Sequence, residues 1–199
     1  MVILKLVNNV KPCAKPLSFL NSDHFFFKKT FQKLDIKSAT GIINKLIYQT
    51  PTRGLLYVVD TYFGTPRHRL EHLSCYLPGI LALGASTLPD TELSPEEKEI
   101  HRWAAHGLAY TCAISFADQE TGLGPEEMTM SSNGTRWMEV VDEWKLGGRQ
   151  GNIPPGMGEP EPERDASKRD YFTPYPNAWL LRPEVIKPLF LLLSIGRFC

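Results

Sequence analysis

The sequence predicts a mainly α-helical, soluble globular chain: helical hairpins stacked side by side, one long Pro/Gly-rich loop, and the look of a piece of a larger helical fold. Three observations carry this. Segments 38–49, 67–85 and 93–118 repeat apolar residues at helical spacing, whereas 53–63 reads as extended. Residues 147–176 are too dense in proline and glycine for a regular element, and a loop of that length is either functional or disordered. Segment 67–85 is apolar on most sides, so it needs neighbours all round, more than the few helices of this chain supply.

Taken in order, "SATGIINKLIYQ" (38–49) sets Ile42, Ile43, Leu46 and Ile47 on one helical face, with Thr40 placed to cap it. "RGLLYVVDTYF" (53–63) reads as a strand. "RHRLEHLSCYLPGILALGA" (67–85) reads as a buried helix that Pro78-Gly79 bends or interrupts. The clearest helix is 93–118. Ser94 is its N-cap, Pro95 occupies the first helical position and Glu97 completes a capping box. Ile100, Trp103, Ala104, Gly107, Leu108, Thr111 and Cys112 then form one stripe. Residues 119–135 are glycine-rich and turn-like, and 135–144 fits a strand or a short helix. A last helix begins at Pro183, where Pro188, four residues after Glu184, removes an amide and predicts a kink.

Composition narrows the function. Lysine and arginine balance aspartate and glutamate at 22 each, so no net charge points to nucleic acid or an anionic membrane. The apolar run Leu189–Leu193 is far short of the roughly 18 residues of a membrane span, and the first twelve residues lack the pattern of a signal peptide. Basic residues switch near position 50 from lysine only to mostly arginine. That shift marks 1–37 as a segment apart from the domain at 38–199. Cys13, Cys75, Cys112 and Cys199 form no C-x-x-C pair. Asn133-Gly134-Thr135 matches the N-glycosylation acceptor pattern, a triplet common by chance.

Three constellations bear on chemistry. His68, His72 and Cys75 share a helical face in the predicted helix, a spacing that can bind zinc; with no fourth ligand cluster and no H-E-x-x-H pattern, the reading preferred is a polar rim on a buried helix. "ETGLGPEE" (120–127) is a tight turn that either simply turns or holds Glu126 at a cavity mouth. In "LLRPE", Pro183 pre-sets a helix, Glu184 sits at its positive end and Arg182 keeps the carboxylate ionised. An ionised, oriented carboxylate is a general base; it is also an ordinary helix-capping pair.

"RLEHLSCYLPGILALGA", "TGLGPE" and "YPNAWLLRPE", in that order, resemble the C-terminal half of the catalytic domain of glycoside hydrolase family 47, the class I α-1,2-mannosidases. The loop with "PPGMGEPEPERDASKRDY" is similar to the fungal branch, and the resemblance runs from about Ser38 to Gly196. It implies a partial (αα)7 barrel, a fragment of an α/α toroid. It implies inverting, calcium-dependent removal of terminal α-1,2-linked mannose from high-mannose N-glycans on glycoproteins, in the ER or Golgi. By the same resemblance Glu184 is the general base on water and Glu126 a second essential acid, often a proton donor. Arg182 contacts mannose, His72 lines the sugar cavity, and Cys75 pairs with Cys112 in a disulfide that fits a secretory compartment.

The family's further catalytic glutamate, its Asp-containing motif and its calcium-binding Thr-Glu-Ala-His-Pro segment have no counterpart in the 199 residues. The expectation is therefore an incomplete active site with no calcium ligand of its own. Beside the family activity stand two other readings. One is a catalytically inactive fragment or pseudoenzyme, at most a mannose-glycan binder. The other is a helical scaffold whose exposed apolar face pairs with a chain supplying the rest.

Overall fold

The computed structural model describes residues 25–173. Arg182, Glu184, the helix expected from Pro183 and the kink expected at Pro188 lie outside them. Among the described residues four helices dominate: α1 (Phe25–Leu46), α2 (Leu77–Thr87), α3 (Pro95–Ala117) and α4 (Trp137–Leu146). Eight short strands join them, more than the sequence predicted. They are β1 (Ile47–Gln49), β2 (Leu56–Val58), β3 (Asp60–Tyr62), β4 (Thr65–Arg67), β5 (Arg69–Glu71), β6 (Glu127–Met130), β7 (Thr135–Arg136) and β8 (Tyr171–Phe172).

The strands form three antiparallel sheets, ordered β2-β1-β7, β3-β4 and β5-β6-β8. Two of the three draw on strands distant in sequence, which local periodicity cannot reveal. Several expectations change accordingly. The first helix starts well before Ser38 and runs unbroken through position 37, so Thr40 lies inside it and caps nothing. It stops at Leu46, and Ile47 enters a strand. Segment 67–85 is not one helix. It is β5, a 3-10 turn (His72–Tyr76) and then α2, with Pro78 in the first turn of α2, where a missing amide costs nothing. Within 119–135 lies the strand β6. The loop after α4 is long, as expected, with only a 3-10 turn at Ala166–Lys168 and β8.

Helix α3 matches its prediction. The Ser94 hydroxyl accepts from the Glu97 amide at 3.3 Å and the Glu97 carboxylate accepts from the Ser94 amide at 2.8 Å. Its stripe is buried and packs on α2. Gly107 is required there: a Cβ would lie 2.5 Å from the Gly156 carbonyl and from Leu56. One core gathers Ile43, Leu56, Leu81, Trp103, Leu108, Trp137 and Val141 among the helices. A second holds Tyr48, Tyr57, Leu70, Met128, Met130 and Tyr171 between two of the sheets.

Candidate active site

The candidate site grows out of one strand pair. β5 and β6 run antiparallel with Glu71 opposite Glu127. That register sets the next residues, His72 and Glu126, against each other, and the His72 amide donates to the Glu126 carbonyl at 2.9 Å. Two motifs far apart in sequence meet through a backbone hydrogen bond that no side-chain pattern announces.

His72 is buried, its imidazole edge-on to Phe116 with ring centroids 5.4 Å apart. Phe116, in the last turn of α3, packs on the disulfide between Cys75 and Cys112. This bond ties the 3-10 turn carrying His72 to α3. The turn before Glu126 rests on the same ring, for a Cβ on Gly124 would lie 2.6 Å from it. Gly122 adopts φ +72°, and Pro125 is buried. Glu126 thus follows a turn braced by Phe116 and is itself half-buried. Such a carboxyl can give or take a proton. Phe116 and Gly124 escaped the sequence reading. Their signal, an aromatic at the end of a helix and a second glycine before Pro-Glu, has no meaning until the turn is folded onto the ring.

The zinc reading of His68, His72 and Cys75 fails. They do not share a helix face, and Cys75 is consumed by the disulfide. The polar-rim alternative fails with it, because β5 (Arg69–Glu71) separates His68 from the 3-10 turn that carries His72 and Cys75, and both of those are buried. His68 instead bonds Tyr57: its Nδ1 lies 2.7 Å from the Tyr57 hydroxyl, which accepts from the Gly134 amide at 3.0 Å. The phenol keeps its own proton to donate, so Nδ1 serves as acceptor. Burial lowers the His68 pKa and lifts that of Tyr57 to about 12.

Below Glu126, Arg69 binds Glu127 at 3.0 Å, Glu71 at 3.1 Å and Asp60 at 3.3 Å. It offsets the repulsion of two glutamates facing each other across the ladder. A buried anchor fixes the long loop. Asp118, fully buried at the end of α3, accepts from Arg53 at 2.7 and 3.1 Å, from the Tyr171 hydroxyl at 2.9 Å and from the Glu163 amide at 2.8 Å. Burial and the Asp118 carboxylate hold the Tyr171 phenol well above its usual range.

Calcium takes six to eight oxygen ligands. Among the described residues no group of three or more His, Cys, Asp or Glu side chains could hold a metal ion. They do not fit a calcium site, and none is assigned to them.

The chain is 42% identical over 86 residues to mannosyl-oligosaccharide 1,2-alpha-mannosidase mans-2 of Caenorhabditis elegans, a stretch covering 43% of this chain and 14% of that protein. It is 38% identical over 80 residues to mannosyl-oligosaccharide 1,2-alpha-mannosidase IC of Homo sapiens, covering 40% and 12%. The chain thus spans only a small part of the relatives it matches. In structure it resembles an alpha-1,2-mannosidase from Trichoderma reesei with a TM-score of 0.55 over 84% of this chain and 32% of that one; at 18% identity the likeness speaks for the fold alone. The family model of glycosyl hydrolase family 47 matches residues 20–197, nearly the whole sequence, and the chain belongs to that family.

Proposed function

We propose that this chain is the C-terminal part of an α-1,2-mannosidase catalytic domain, a partial (αα)7 barrel, that trims terminal α-1,2-linked mannose from high-mannose N-glycans in the secretory pathway. In an inverting hydrolysis two carboxyls flank the scissile bond, about 6.5–9.5 Å apart, with a water between one of them and the sugar. Glu126 protonates the departing glycosidic oxygen. Glu184 takes a proton from the water as its oxygen bonds the anomeric carbon from the opposite face. Arg182 holds the Glu184 carboxylate ionised and contacts mannose, and His72 lines the cavity. The resemblance brings calcium with it, but no step here passes through the metal.

The observation that supports this reading is the junction of His72 and Glu126, bonded backbone to backbone and braced by one phenylalanine and one disulfide. The family relation supplies the substrate class. The disulfide favours an oxidising compartment.

The test is mannose release by the full chain from an α-1,2-linked mannobiose and from a high-mannose glycan. Glu126→Gln and Glu184→Gln should each lower kcat by about 10²-fold or more, with the circular dichroism spectrum unchanged, and NMR should show β-mannose as the first product. Unchanged turnover in Glu126→Gln would sink the role given to Glu126. A chain that binds mannose without releasing it supports the second reading, a non-catalytic glycan binder.

A further inference from the structure

The connection from β6 to β7 is pinned at both ends. The Ser131 amide donates to the Asp170 carbonyl at 2.8 Å, and the Gly134 amide donates to the Tyr57 hydroxyl at 3.0 Å. Asn133 sits exposed between these pins, and Ser131, Ser132, Thr135 and Arg136 around it are exposed as well. The fold dictates the middle residue of the triplet. A Cβ at Gly134 would lie 2.3 Å from the Gln49 carbonyl oxygen and 2.7 Å from the Tyr57 hydroxyl. It does not dictate the flanks, since the Thr135 backbone pairs with Gln49 while the residue stays exposed. Asn133-Gly134-Thr135 is the one triplet of its kind in the 199 residues.

We propose that Asn133 is an N-glycosylation site and that its glycan projects from the end of β6 remote from Glu126. The four residues of β6 put roughly 13 Å of strand between the two, so the modification leaves the His72–Glu126 end clear. In the transfer, the Asn133 Nδ2 bonds the anomeric carbon of a polyprenyl-diphosphate-linked oligosaccharide. The bond from that carbon to the diphosphate oxygen breaks, the diphosphate leaves with the electron pair, and one amide proton passes to a base of the transferring enzyme. This site rests on the secretory location proposed above.

The experiment is translation of the full chain behind a cleavable secretory leader in the presence of ER microsomes, read only in the protease-protected fraction. An amidase that removes whole N-glycans should produce a single mobility shift and convert Asn133 to aspartate. Asn133→Gln and Thr135→Ala should abolish the shift, while Thr135→Ser should keep it. Protected wild-type chain without a shift, or a shift that persists in Asn133→Gln, would overturn the site. The leader forces entry into the lumen, so the outcome is separate from that of the activity assay. A glycosylated chain that releases no mannose would sink the catalytic reading alone, and an active chain that is never glycosylated would sink only this one.

Discussion

At the end of α3, Asp118 is fully buried. A buried carboxylate is tolerated only when paired and fully hydrogen-bonded, and four donors from Arg53, Tyr171 and Glu163 meet that demand. Burial works against the charge on Arg53, but the Asp118 carboxylate outweighs it and raises the guanidinium pKa. Removing one partner strands the other. Asp118→Ala should therefore cost about 3–5 kcal/mol in urea unfolding, and the joint change of Arg53→Met with Asp118→Leu should recover part of the loss. An Asp118→Ala variant as stable as the parent would show that the pair contributes nothing.

Helix α3 organises the elements around it. Its capping box fixes where it begins, its small residues let β2 and the long loop approach, and its end carries both Phe116 and Asp118. Its second turn places His101, almost wholly buried, in a cleft of about 320 Å³ shared with Thr40 and Asn44 of α1 and Asp142 and Lys145 of α4. Burial depresses the His101 pKa, and Glu97 offsets this only in part. The unfolded imidazole titrates near ~6.5. Below that pH the unfolded chain binds a proton that folded His101 refuses. Stability is then present above the unfolded pKa and lost as pH falls toward the folded one. The slope is up to about 1.4 kcal/mol per pH unit. Urea midpoints at about pH 7.5 and 5.5 should show that loss, and His101→Gln should reduce it. An equal loss in the variant would place the acid sensitivity elsewhere, for example at His68, whose pKa burial also lowers.

At the scale of the whole molecule, two cores and one covalent link hold the described residues together. The disulfide spans a sequence separation of 37. In the chain-entropy picture a loop of that size is worth about 3–4 kcal/mol. Cys75→Ala with Cys112→Ala should lower stability by that order in urea unfolding and loosen the His72 turn. Reduction that leaves the unfolding midpoint in place would contradict it. The opposite side of α2 is open among the described residues: Ile80 is 61% exposed and Leu83 46%. The expectation that this helix needs neighbours on every side is met by α3 on one side only.

The sequence alone determined what depends on neighbours along the chain. The cap, the proline and the stripe of α3 could be read directly, because capping and helical periodicity act within one or two turns. The three ordered motifs also carried the family. Tertiary structure alone decided where His72 and Glu126 stand. Segment 67–85 has a helical pattern, yet its first residues form β5 because Glu127–Met130, far along the chain, offers a partner strand. His68 and His72 therefore part company, one to Tyr57 and the other to Phe116. The Arg53–Asp118–Tyr171 anchor gave no sequence signal, since its members lie 65 and 53 residues apart. Strand pairing and buried ion pairs are contacts between distant residues, so their energy becomes legible only once the chain has closed on itself.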